Sequence, residues 1–191
     1  MAENNVVYSP VSIPKKNNGG RTKPKDAKII IGRIKDVATY PTPDGKGIRV
    51  TEPIVMKSGV KLISIEVTSS TISVTQPTEG DPDNKGVKPK IEFSRPGSDD
   101  VEFEEFLENN VNEDLFCIIQ YPISGIKKLA GYPGNPMQLS SESTDNNEGD
   151  THKVTMESTL RGGRIRFYEA ALPSVDGQEA PSAGSGSGQS V

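Results

Sequence analysis

The chain has one histidine, His152, and one cysteine, Cys117. A nucleophilic site needs a base held beside its nucleophile. Cys117 stands inside the apolar run Leu115-Phe116-Cys117-Ile118-Ile119, where a thiol is a buried packing group, and His152 opens a strand after a polar loop. The spacing predicts structural roles for both, and no enzyme. Zinc would need three or four His, Cys or carboxylate ligands at short spacing, and the sequence has no such set. Asp81, Asp83 and Glu92 fall near the spacing of a calcium loop, but Lys85 occupies a ligand position and 91–93 reads as a strand. A solvated turn is expected there. Gly162-Gly163 lies between two strand-like segments and reads as a hairpin turn, not as a phosphate cradle. The prediction is therefore no catalytic residue, no metal and no cofactor.

Charge says more about partners. Residues 1–28 hold six basic groups, including Lys15, Lys16, Arg21, Lys23 and Lys25, against two acidic ones; residues 29–191 hold 16 basic against 24 acidic. This is a basic arm on an acidic body. The arm is simply solvated, lies on the acidic body of a neighbouring copy, or binds nucleic acid, a main role the acidic body speaks against. Arg161, Arg164, Arg166, Phe167 and Tyr168 form a short basic–aromatic stretch of the kind that binds single-stranded nucleic acid. With ten Phe and Tyr in the whole chain and a net charge of −4, a cross-strand ladder is the expected reading.

One element can place acidic groups in register. Residues 99–112 form the one predicted helix, with Val101, Phe103, Phe106, Leu107 and Val111 at helical spacing and Glu102, Glu104, Glu105 and Glu108 mostly opposite. Pro96-Gly97 stops the preceding strand. Ser98 or Asp99 can cap the helix, with Glu102 three residues after Asp99 as in a capping box. The glutamates form the wet face of the helix, an acidic lumen, or a docking surface for the basic arm. A helix of about three turns cannot bury its apolar face alone, so a sheet must receive it.

The rest of the chain is mostly strands. Segments 27–37, 48–56, 60–68, 71–75, 151–160 and 164–170 alternate or are β-branched, and 115–119 reads as a strand buried on both faces. Gly32 marks a bulge or a close backbone approach, and Pro53 an edge. The Pro and Gly residues after Tyr121 predict loops, and 140–150 a flexible acidic loop. With 32% hydrophobic residues, 19 Gly and 15 Pro, the composition suits a small β core with long loops. The expected organisation is an extended basic arm over 1–27, a β-sandwich or barrel of seven to eight strands with one flanking helix over 28–172, and a flexible Ser/Gly/Pro-rich tail over 173–191. No signal peptide or membrane span is expected, and the lone cysteine fits a reducing cytoplasm.

In this arrangement of arm, alternating strands, long polar loop, single helix and final hairpin over 158–173, the chain resembles the tail tube (major tail) proteins of long-tailed bacteriophages. The resemblance is architectural and covers about residues 28–172. It implies a virion structural protein made in the host cytoplasm. It also implies homo-oligomeric rings, six-membered and stacked, around an acidic lumen through which DNA passes without specific binding. Other virion proteins would be partners. The alternatives are another phage structural component (a head decoration, head–tail connector or ring protein) and a single-strand nucleic-acid-binding module.

Overall fold

Isoleucine and leucine crowd two short segments, Lys28–Arg33 and Leu115–Tyr121, and these lie antiparallel, Ile29 opposite Ile119 and Arg33 opposite Leu115. In the computed structural model, which describes residues 24–97, 100–147 and 149–175, they are β1 and β10, at the centre of a mainly β fold. Between them lie β2 (Val37–Thr39), β3 (Arg49–Val50), β4 (Val55–Met56), β5 (Ile63–Glu66), β6 (Ser73–Thr75), β7 (Thr78–Glu79), β8 (Gly86–Val87), β9 (Lys90–Pro96) and the one α-helix among the described residues, α1 (Val101–Asn110). After them come β11 (Ile126–Ala130), β12 (Met137–Asn146), β13 (Gly149–Ser158) and β14 (Arg166–Tyr168).

The pairings trace a curled sheet. β5 pairs with β1, β1 with β10, β12 with β13, β13 with β9 and β9 with β6, all antiparallel. β10 and β12 meet only at a corner, Leu115 opposite Met137. The other seam runs through the 3-10 turn Ser69–Thr71 between β5 and β6, where Thr68 N–H donates to Ser94 O at 3.1 Å and Ser94 N–H to Thr71 Oγ1 at 2.9 Å. The inward positions of this wrap carry one core: Ile29 and Ile31, Ile65, Ile91 and Phe93, Cys117 and Ile119, Val154 and Met156. Polar side chains alternate with them, as a half-buried strand requires.

β1 and β10 are buried on both faces, as the unbroken apolar run of β10 implies. Their outer side supports a second core of Ile30, Phe116 and Ile118 with Leu62, Val50, Ile54, Tyr168 and Val175. Gly32 is required here. A Cβ at that position would strike the Phe116 ring and Leu62, so the glycine marks a close approach between layers. β11 extends the sheet beyond β10, then β14, then β3 in parallel.

Several expectations need correction. The stretch after Tyr121 is not a loop. It holds β11 and β12, and 140–146 of the expected acidic loop is strand paired with β13. Two adjacent lysines in β11 and an uninterrupted polar run in β12 hide the period-2 signal. Gly162-Gly163 does not close a hairpin, because β13 pairs with β12 and β9 while β14 pairs with β11 and β3. Gly162 instead exchanges two 2.9 Å main-chain bonds with Val87. His152 lies within β13 at 1% exposure rather than at its opening. The fold also continues past 172: Leu62 N–H donates to Ser174 O at 2.9 Å, and Val175 is buried.

Candidate functional site

Two surfaces stand out, and the first is the outer half of the β12–β13 hairpin. Ten register pairs join these strands, from Met137 opposite Ser158 to Asn146 opposite Gly149. At the root, Met137, Leu139, Val154, Met156 and Ser158 point into the core. From Ser140 to Asp145 every residue of β12 is exposed, whichever way its side chain points. Helix α1 reaches this half at His152, which stands opposite Ser143 and packs against Phe103; beyond it Thr144 and Asp145 belong to neither core. Over Gln138–Asp145, the margin of β12 away from β13 pairs with no strand among the described residues. Such a margin presents a row of main-chain donors and acceptors able to receive another strand. Beyond Thr151, where β9 ends at Pro96, the hairpin continues as two strands only, an arrangement of marginal stability in water.

Helix α1 flanks this hairpin. Asp100 caps it, its Oδ1 accepting from Phe103 N–H at 3.1 Å, and it also pairs with Arg95. Ser98 and Asp99, the caps expected from sequence, lie outside the described residues. Phe103, Leu107 and Asn110 form the buried stripe, and Asn110 Oδ1 accepts from Arg33 Nε at 2.8 Å, tying the helix end to β1. Val101 is 77% exposed, which corrects its expected place on the apolar face; Val111 is exposed too. At 100° per residue, Val101 falls on the side away from Phe103 and Leu107. Glu102, Glu104, Glu105 and Glu108 are all exposed, as the sequence predicts. Glu104 alone reaches inward, its Oε1 3.2 Å from His152 Nε2. His152 packs edge-on against Phe103, and its Nδ1 is buried without a hydrogen-bond partner.

The second surface lies at the Tyr121 end of β10, about 20 Å along the strand from Leu115. An open cleft of about 350 Å³ is lined by Lys25, Val74, Gln76, Tyr121, Ser124, Ile126, Lys128 and Phe167. Lys128 Nζ lies 5.4 Å from the Tyr121 ring centroid and 5.9 Å from that of Phe167, so the cation bridges two aromatic faces. Phe167 is 37% exposed, although the alternation of 164–170 placed it on the inner side with Ile165. Ile123, in the adjoining β10–β11 turn, is 82% exposed. Lys127 donates to Ala170 O, and partial burial pushes its ammonium below the usual lysine range.

The expected arm residues divide at this cleft. Lys25 lines it; Lys15, Lys16, Arg21 and Lys23 lie outside the described residues. The basic–aromatic stretch near the C-terminal end is scattered. Arg161 donates to Asn84 O, Arg166 stacks on Tyr132, Tyr168 is buried, and only Phe167 joins the cleft. Sequence reading missed Tyr121, Lys127 and Lys128. The one signal for them was a Lys-Lys pair between apolar residues in a segment taken for loop.

Neither surface carries catalytic geometry. Cys117 is fully buried, its thiol pushed up to about 12 by desolvation, and it faces the core rather than His152. Glu92, at the last position of the apparent calcium loop, lies in β9 at 3.0 Å from Lys90 and 3.9 Å from Lys153. Among the described residues no group of three His, Cys, Asp or Glu is placed to hold a metal, and no helix is long and apolar enough to cross a membrane. What the two surfaces can do is bind: one by strand addition, the other by charge and aromatic contact.

No family model, no curated protein and no solved structure matches this chain.

Proposed function

We propose that this chain is a non-enzymatic structural subunit that assembles with copies of itself, of the phage tail-tube type. Subunits close into rings, six-membered in the architecture it resembles, and the rings stack around a channel that passes DNA without gripping it. The subunit is made in the host cytoplasm and ends in the virion, alongside other virion proteins. The observation that carries this reading is the outer half of the β12–β13 hairpin. It is a strand margin of eight residues, Gln138–Asp145, with no pairing strand among the described residues, and from Ser140 outward every residue of it is exposed. An edge of that length in a lone globule invites uncontrolled pairing; in a ring each edge is completed by the next subunit. The exposed Glu102, Glu105 and Glu108 and the polar hairpin add an acidic surface, which repels phosphate where a basic wall would hold it.

The test is negative-stain microscopy of the purified protein over a range of concentration and salt. Rings or tubes are expected. Monomers under every condition would overturn the reading. Rings of a fixed copy number per particle, rather than tubes, would move the subunit to a connector or head component.

A second reading rests on the cleft. Lys25 and Lys128 beside Tyr121 and Phe167 offer cations and ring faces of the kind that hold single-stranded nucleic acid. Micromolar, salt-dependent binding of oligonucleotides by a monomer would favour it.

A further inference from the structure

This inference rests on the self-assembly reading and names one contact within it. On α1, Val101, Glu105 and Glu108 are spaced i, i+4 and i+7, so they form one outward stripe. All three are exposed, and none is engaged with another described residue as Glu104 is with His152. At the far end of β10, Phe167 is exposed beside Lys25 and Lys128, and Ile123 is exposed in the adjoining β10–β11 turn. One surface is thus an apolar residue with carboxylates, the other apolar residues with ammonium groups.

We infer that the outer stripe of α1 in one copy docks on the Lys25–Lys128–Phe167 cleft of a second copy. The two surfaces belong to different parts of the same subunit, joined through β10, whose Leu115 end adjoins the helix through Arg33 and Asn110. The contact is therefore head-to-tail. A head-to-tail contact does not close on itself in a pair; it propagates into a ring or a stack. Val101 covers the exposed edge of Phe167 and Ile123, and the Glu105 and Glu108 carboxylates meet the lysines. Complementary charge of this kind sets register and speeds encounter, and the contact weakens as salt screens it beyond about 8 Å at physiological ionic strength.

The experiment is a charge exchange in the full chain, read by light scattering and microscopy. The Lys25→Glu/Lys128→Glu variant and the Glu105→Lys/Glu108→Lys variant each raise the concentration for half-assembly by about tenfold or more. Mixed in equal amounts they assemble again, because alternating copies restore opposite charges at every junction. That recovery also shows that both variants fold. The helix variant places lysines toward a helix C-terminus, where they are tolerated. If wild type assembles and both variants assemble equally well, the contact is overturned while the self-assembly reading stands. The contact is overturned likewise if the mixture stays dispersed. If wild type never assembles and Lys25→Glu/Lys128→Glu abolishes binding to an oligothymidylate, the cleft is a nucleic-acid site and both readings fall.

Discussion

The root and the tip of the β12–β13 hairpin are the same two strands in two environments. At the root, Leu139, Val154 and Met156 sit against Phe93 and the rest of the inner core. At the tip, Thr144 and Asp145 keep the same register and the same ladder, but they and their partners Thr151 and Asp150 belong to neither core. Asp145 even stands opposite Asp150, a like-charge pairing that a free hairpin does not favour. The root is held by burial; past Thr151 and Pro96 the tip is paired only to itself. A strand pair that persists without a core is shaped for something other than the stability of its own domain.

The sharpest way to separate the halves is to remove one. Replacing residues 144–151 by Asn-Gly, a two-residue turn suited to a hairpin, leaves every core side chain in place. Assembly is expected to vanish in microscopy while the thermal midpoint stays within a few degrees of wild type. Unchanged assembly would make the tip ornamental. Next in size, Met156→Ala at the root is expected to cost about 2–5 kcal/mol in urea unfolding, whereas Thr144→Ala at the tip stays within about 0.5 kcal/mol. Equal costs would break the contrast between the halves.

The core that the root closes is also sensitive to alkali. Cys117 has its pKa raised from 9.0 to about 12 by desolvation, and burial raises that of Tyr40 as well. An acid whose folded value exceeds its unfolded one stabilises the fold fully below the unfolded value. That contribution is lost as pH rises through the window between the two. Stability measured by denaturant titration should hold to about pH 9 and fall between 9 and 12, with a shallower fall in Cys117→Ala. The smallest effect concerns the junction of the halves. His152→Leu removes a buried nitrogen with no partner and should be neutral or stabilising by about 1 kcal/mol. Glu104→Gln should cost less than about 1 kcal/mol, since that carboxylate is half in water. A loss of several kcal/mol on His152→Leu would mean that the imidazole holds helix and hairpin together.

Much of the fold was legible because burial writes itself into residue order. The run at 115–119 declared a strand covered on both faces, Gly32 declared either a bulge or a close approach, and Phe103 with Leu107 declared the helix stripe. The hairpin tip was illegible for the opposite reason. Its strands are fixed by pairing to neighbours rather than by apolar alternation, so Ser, Thr, Asp and Asn there look like loop. The cleft was half legible: Phe167 and Lys25 stood out by type, but only β11 beside β10 brings Lys128 and Tyr121 to them. Gly162-Gly163 misled because a glycine pair marks a bend without saying which strands it joins.

The outer core has a consequence for how the molecule is made. Val50, early in the chain, finds its neighbour only when Tyr168 arrives in parallel beside it, and Leu62 waits for Ser174. Pairings that distant in sequence form slowly. Until they do, Ile30, Phe116 and Ile118 lack the part of their cover that Tyr168, Ala170 and Val175 supply. A nascent chain stopped before residue 166 would thus carry a sticky flank, and it is at that stage, rather than after completion, that a chaperone would have most to do.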